Sequence, residues 1–120
     1  MQEKEKTEIL SSLITFNRDL EEIQKDISKL PWDSDQETIT LSKKMIINVL
    51  ERYLKHKINS YELETWAELI EVREDIGIES EFKDYINNII FALANPTITF
   101  SSGEINTKIV SKFVEQANQL

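Results

Sequence analysis

The most regular hydrophobic pattern lies in the first quarter of the chain. Apolar residues recur there at alternating steps of four and three: Ile9, Leu13, Phe16, Leu20, Ile23, Ile27 and Leu30. A seam of this kind, sustained over three heptads, is typical of one long amphipathic helix. Leu10 and Ile14 widen the seam to the face that a globular bundle buries. The pattern predicts one helix over residues 6–30, about 37 Å long, which ends at Pro31.

Two further helices are predicted in the middle of the chain. One begins near Thr40 or Ser42, ends near residues 55–59, and buries Met45, Ile46, Val49, Leu50, Tyr53 and Leu54. The next begins at Asn59, where Glu62 occupies the third helical position of a capping box. This third helix is predicted over residues 60–75 with Gly77 as its C-terminal stop. Its inward face carries Leu63, Trp66, Ala67 and Ile70.

Two more helices complete the predicted fold. Ser80 is placed to cap a fourth helix, which ends at the Asn95-Pro96 pair. The stretch "TITF" at 97–100 favours extended structure but is too isolated to build a sheet. Ser101 and Glu104 have capping-box spacing and predict the start of a fifth helix.

Length and composition support an all-α protein. With 120 residues, only two glycines and only two prolines, the chain has few of the residues that a turn-rich β protein needs. We therefore predict a compact all-α bundle of about five helices, with no sheet, forming a single helical domain over residues 1–120.

The charge is concentrated in one segment. Residues 60–84 hold nine acidic and two basic side chains, a net charge of −7, whereas the whole chain carries −8. Nucleic acids and anionic membranes attract Lys and Arg, so neither is expected as a partner. The longest apolar run, "IIFALA" at 89–94, is too short for a membrane span, and "MQEKEKTE" does not resemble a signal peptide. We expect a cytoplasmic protein that binds a basic partner.

The sequence offers no recognisable catalytic chemistry. It has no cysteine, one histidine (His56, between Lys55 and Lys57) and only Gly77 and Gly103, so thiol catalysis and glycine-rich phosphate loops are excluded. The Glu-x-x-His pairs of helical di-metal sites are absent, because Tyr53 stands three residues before His56. We predict no catalytic residue, no metal and no cofactor, and hence no enzyme.

The candidate binding surface is the acidic third helix. Glu64, Glu68, Glu71 and Asp75 follow one another at steps of four, three and four, which places them in one stripe. We predict a partner-binding surface of Glu64, Glu68, Glu71, Glu74, Asp75, Glu79, Tyr61 and Tyr85. The two tyrosines, and Trp32 in the connector after the first helix, are the candidate anchors if they are exposed. The alternative is a solvated face that only keeps the protein soluble.

Four segments resemble a known group of proteins. They are "LPWDS" at 30–34, "VLERYL" at 49–54, "WAELIEVREDIGIE" at 66–79 and "IIFALANPTI" at 89–98. Over residues 30–98 the chain resembles small acidic all-helical bacterial proteins of uncharacterised type, a group that includes immunity proteins of contact-dependent growth inhibition systems. This resemblance implies a protein that binds and blocks a basic, nuclease-type toxin domain.

Two other functions stay open from the sequence. One is a non-enzymatic scaffold or regulatory module that self-associates through the seam of the first helix. The other is a housekeeping domain in which the "REDIG" turn at 73–77 has its own role. For the toxin-binding function we expect a monomer or a weak homo-oligomer.

Overall fold

The computed structural model describes residues 3–30 and 37–120 and is predominantly helical over them. Its helices are α1 (Glu3–Thr15), α2 (Leu20–Ser28), α3 (Lys43–Leu54), α4 (Ser60–Glu71), α5 (Lys83–Ala94), α6 (Pro96–Thr99) and α7 (Thr107–Asn118). The all-α fold class is confirmed, with seven helices in the described ranges instead of about five. The predicted helix stop at Pro31 lies outside the described residues, as does Trp32.

The prediction of one continuous first helix is wrong, because the chain turns at Phe16 between α1 and α2. Phe16 has a φ of 50°, in the left-handed region. Its N–H donates to the carbonyl of Leu13, and the N–H of Asn17 donates to the carbonyl of Ser12. This is the bond pattern of a Schellman motif, which usually has glycine at the left-handed position. No glycine or proline marks the break, so the heptad pattern concealed it.

Packing around Phe16 offsets the cost of its backbone conformation. The side chain is 1% exposed and stacks on Trp66, with 6.4 Å between ring centroids. The Arg52 guanidinium lies 5.1 Å from the ring centroid and donates to the Phe16 carbonyl. Trp66 is fully buried, as predicted for a core residue, and its Nε1 donates to the carbonyl of Leu13 at 2.7 Å. A left-handed non-glycine residue costs on the order of 1–3 kcal/mol and persists only where its surroundings fix it.

The predicted starts of α3 and α4 are confirmed. The Ser42 hydroxyl caps α3 by accepting from the Met45 N–H at 3.2 Å. Asn59 and Glu62 form the predicted capping box, with bonds of 2.8 and 2.9 Å. Helix α3 ends as α1 does, since His56 has a φ of 62° and the backbone bonds of a second Schellman motif.

The segment after α4 differs from the prediction. Helix α4 ends at Glu71 rather than Asp75, and Ile76–Ile78 forms a strand, β2, that pairs in parallel with β1 (Ile39–Leu41). Gly77 is therefore a strand residue opposite Thr40 and not a helix stop. A Cβ on Gly77 would lie 2.6 Å from the Glu37 carboxylate, so glycine permits this close approach. The prediction of no sheet is therefore wrong, because β1 and β2 form a short two-stranded sheet.

In the C-terminal third of the chain, one predicted helix end is confirmed and three other predictions are wrong. Helix α5 ends before Asn95-Pro96, as predicted. Ser80 begins a 3-10 turn (Ser80–Phe82) and does not cap α5. The "TITF" stretch lies mostly in α6, because Pro96 at the first helical position is pre-organised for a helix. The cap of α7 is Asn106, whose side chain accepts from the Ile109 N–H at 3.0 Å, so the predicted Ser101 capping box is absent.

These elements surround one hydrophobic core. Helix α4 lies along α5, α3 lies along α7, and α1 packs across α2, α3, α4 and β1. The largest fully buried side chains include Trp66, Phe16, Leu10, Leu13, Ile14, Ile23 and Leu41. The packing leaves the acidic side of α4, beside α5, at the surface.

Candidate interaction surface

Three glutamates form a line on α4, which we call the acidic line: Glu64, Glu68 and Glu71. Glu68 and Glu71 are exposed and Glu64 is partly buried. Burial raises the pKa of Glu68, and the hydrogen bond and like charge of Glu64 raise it further, followed by the charge of Glu71. The three carboxylates are therefore close enough to repel one another, as their spacing predicts.

The acidic line lacks compensating cations in the described residues. The ion pairs within residues 3–30 and 37–120 join Lys6, Arg18, Lys29 and Arg73 to Glu22, Asp26 and Asp75. The polar contact to the line comes from Asn95, whose Nδ2 donates to the Glu71 carboxylate at 3.2 Å. The line therefore keeps its negative charge toward solvent.

Asp75 is not at the surface, so the prediction that it extends the exposed acidic stripe is wrong. Its side chain is fully buried beyond the end of α4. The Arg73 guanidinium donates to both Asp75 oxygens, at 2.9 and 2.7 Å, and the Lys6 ammonium lies 3.1 Å away. Burial alone would raise the pKa of Asp75, but the bonds from Arg73 and Lys6 outweigh it and leave the pKa lowered. We call Lys6, Arg73 and Asp75 the buried ion cluster.

The other two predicted acidic residues, Glu79 and Glu74, lie in different environments. Glu79 is partly buried, and its Oε1 accepts from the backbone N–H of Lys43 at 2.9 Å, so it stabilises the start of α3. Glu74 is exposed but follows the end of α4. Glu74 is therefore not part of the helical stripe that the predicted longer helix placed it beside.

The two predicted tyrosine anchors lie in different environments. Tyr61 is 69% exposed near the start of α4, where it lines a recess with Asp19 and Gln24 of the α2 region. Tyr85 is partly buried, and its hydroxyl donates to the carbonyl of Phe113 at 2.6 Å. Burial raises the pKa of Tyr85 to about 12. Tyr61 is available to a partner, whereas Tyr85 joins α5 to α7.

Three exposed apolar side chains are absent from the sequence prediction. Val72 is 72% exposed, Phe91 49% and Ile98 75%. Phe91 was identifiable, because the core positions of α5 leave it on the outer side of an otherwise apolar run. Ile98 was concealed by the extended structure predicted for its segment.

A cleft of about 270 Å³ has Phe91 in its lining, and we call it the terminal cleft. It is formed by the end of α4, β2 and one side of α5. Its lining residues are Ile70, Glu71, Arg73, Ile76, Ile78, Asn87, Ile90 and Phe91. Glu71 thus belongs both to the acidic line and to this cleft.

A larger cleft of about 370 Å³ lies at the start of α4. His56, Lys57 and Glu62 line it, together with Thr107 of α7. Lys57 and Glu62 have opposite charges, so this cleft shows no preference for a basic partner.

Neither a metal site nor a membrane span is found in the part of the chain that the structure describes. In residues 3–30 and 37–120, His, Asp and Glu side chains form no group of three or more that is placed to hold a metal ion. Over the same residues, each helix is too short or too polar to cross a bilayer. His56 lies at the exposed end of α3.

No protein-family model, curated protein or solved structure matches this chain. A function must therefore be inferred from the surface itself.

Proposed function

We propose that this protein binds a basic protein partner through the acidic line and acts as an immunity protein that blocks a nuclease-type toxin domain. The observation that carries the proposal is the concentration of negative charge on one helix without compensating cations in the described residues. Three like charges at helical spacing destabilise the free protein by a few tenths of a kcal/mol per neighbouring pair. The positive charges of a basic partner offset this repulsion, so the relief of repulsion adds to the binding free energy.

The proposed mechanism is steering followed by exclusion of substrate. Nucleases carry basic surfaces because their substrate is a polyanion. A negative face attracts such a domain from a distance and raises the rate of association at low ionic strength. Once bound, the acidic helix covers or borders the basic cleft and repels the nucleic acid. This role needs no catalytic residue and no cofactor.

The burial pattern disfavours self-association through the seam of the predicted first helix. Leu13, Phe16, Leu20 and Ile23 are all buried within the chain itself. The seam is used to pack α1 and α2 on the core, so these residues are not available to a second copy.

Growth protection tests the proposed function. A basic toxin domain encoded beside the gene for this protein would be expressed with the wild type or with Glu64→Lys/Glu68→Lys/Glu71→Lys. We expect the wild type to restore growth and the triple variant to fail, because the reversed line repels the toxin. The matched control is Glu5→Lys/Glu104→Lys/Glu115→Lys, which makes the same change in net charge at exposed positions elsewhere.

Two results would contradict the proposal. In one, the reversed acidic line protects cells as well as the wild type does. In the other, the control triple variant loses protection equally, which would make total charge the cause rather than this surface. Both triple variants would first be checked for wild-type helix content and unfolding.

A further inference from the structure

The acidic line ends at a recess lined by both apolar and polar side chains. Five of the eight side chains that line the terminal cleft are apolar, and Ile76 and Ile90 among them are largely buried at its base. Phe91 forms part of the wall and remains 49% exposed. The cleft therefore offers apolar surface that the fold itself does not cover.

One amide connects two residues that line this recess. The Asn95 side chain donates to the Phe91 carbonyl at 2.9 Å and to the Glu71 carboxylate at 3.2 Å. Glu71 of α4 and Phe91 of α5 are thus joined through the same side chain at the edge of the cleft.

Glu71 and Arg73 are the charged residues that line the cleft, and of the two the carboxylate is the exposed one. Arg73 also lines it, but the guanidinium donates twice to Asp75 in the buried ion cluster and its side chain is only 11% exposed. Glu71 is exposed, and Glu68 follows one turn away on α4. A partner side chain bound in this cleft would therefore contact apolar surface and lie close to the carboxylates.

The volume of the cleft is compatible with a single side chain of a partner protein. Pockets for small-molecule ligands usually have about 300–1,000 Å³ and enclose most of the ligand. At about 270 Å³, the terminal cleft is at the lower end of this range and has room for one large side chain. Aromatic side chains that fill a recess, surrounded by weaker contacts, are the usual energetic centres of protein interfaces.

We infer that the terminal cleft receives one aromatic side chain of the basic partner, while an adjacent Arg or Lys of that partner pairs with Glu71. This inference rests on the proposed function and adds the place and chemistry of the anchor. The acidic line sets the rate of encounter, and the cleft supplies the apolar contact that holds the complex.

Short peptides test the cleft without the natural partner. The probes are the N-acetylated, C-amidated dipeptides Trp-Arg, Trp-Glu and Ala-Arg, titrated into the ¹⁵N-labelled protein and followed by the backbone and Asn95 side-chain amide signals. We expect Trp-Arg to shift signals of residues 70–78 and 87–98 and to bind at least about fivefold more tightly than either other peptide, because it alone combines ring and cation.

Variants locate the binding. Phe91→Ala should weaken Trp-Arg binding at least about fivefold, and Glu71→Gln should remove most of the preference for Trp-Arg over Trp-Glu. Leu120→Ala is the control, since it truncates another exposed apolar side chain, 61% exposed, outside the cleft. Should Phe91→Ala unfold the protein, Phe91→Leu replaces it. Equal binding of all three peptides, or shifts confined to other residues, would overturn the inference.

A second copy of this chain is the competing occupant. Sedimentation of the wild type and of Phe91→Ala distinguishes it: a dimer that dissociates in the variant would overturn the inference. The proposed function can fail separately. If Trp-Arg binds the cleft but reversal of the acidic line leaves toxin protection intact, the steering surface is wrong; if protection needs the acidic line but Phe91→Ala has no effect on it, the anchor is wrong.

Discussion

Asp75 and Glu68 belong to the same acidic stretch of sequence but lie in opposite environments. Asp75 is fully buried, bonded to Arg73 and Lys6, and has a lowered pKa. Glu68 is exposed, faces two other glutamates, and has a raised pKa. The Asp75 carboxylate stabilises the fold, whereas the charge of Glu68 slightly destabilises it.

The acidic residues thus fall into two classes: those that stabilise the fold and those of the acidic line, which are proposed to bind a partner. In the buried ion cluster and at Glu79, each negative charge accepts hydrogen bonds from specific donors. On the acidic line, repulsion is left in place. The fold therefore gains nothing from the proximity of these three acids, which leaves solubility or partner binding as their role.

The largest expected effect is at Asp75. Asp75→Asn removes the carboxylate that Lys6 and Arg73 both contact at a buried position, and breaking a buried ion pair typically costs about 3–5 kcal/mol. We expect a loss of this size in the free energy of unfolding, measured with urea. The control Glu68→Gln, which removes an exposed acid, should change it by less than about 0.5 kcal/mol.

The pH dependence sharpens the same contrast. Because folding lowers the pKa of Asp75, its contribution is present above the unfolded value of about 3.9 and is lost as the pH falls through and below it. Asp75→Asn should therefore reduce the loss of stability in acid. If wild type and variant lost stability in parallel between neutral and acidic pH, Asp75 would not be a charged structural residue.

A smaller effect is expected at Glu79. Glu79→Ala leaves the Lys43 N–H at the start of α3 without its acceptor, at a cost of about 0.5–2 kcal/mol. Glu79→Gln keeps an oxygen acceptor and should retain most of the stability. Thermal unfolding of both variants distinguishes a capping role from a simple surface charge, for which alanine and glutamine would behave alike.

The smallest effect is expected on the acidic line and has the opposite sign. Glu64→Gln/Glu68→Gln/Glu71→Gln removes two neighbouring repulsions of about 0.2–0.5 kcal/mol each. We expect the variant to be more stable than the wild type by less than about 1 kcal/mol at neutral pH and low salt. Because folding raises the pKa of Glu68, the wild type recovers as the pH falls and the difference disappears in acid. A less stable variant at neutral pH would show that the line supports the fold.

The sequence predicted what local rules determine. The capping box at Asn59 and Glu62, the Ser42 cap of α3 and the core position of Trp66 follow from short-range chemistry or helical period. The turn at Phe16 did not follow, since its left-handed backbone is held by Trp66 and Arg52 from distant helices. Tertiary contacts of this kind leave no mark in the local pattern.

The candidate surface was predictable only in part, for the same reason. Helical spacing placed Glu64, Glu68 and Glu71 together correctly. The same spacing placed Asp75 with them, but the helix ends at Glu71 and the chain then enters a strand. The terminal cleft depends on α4, β2 and α5 meeting in space, which no single segment of sequence specifies.

The most direct test of the central claim is the rate at which the basic toxin domain associates with the wild type and with Glu64→Lys/Glu68→Lys/Glu71→Lys, measured by stopped flow at increasing salt. If the acidic line is the contact surface, the wild-type rate falls steeply as salt screens it, and the triple variant associates more slowly with a flat salt dependence. The control Glu5→Lys/Glu104→Lys/Glu115→Lys should behave nearly as the wild type. Equal rates and equal salt dependence for the wild type and the reversed line would contradict the account.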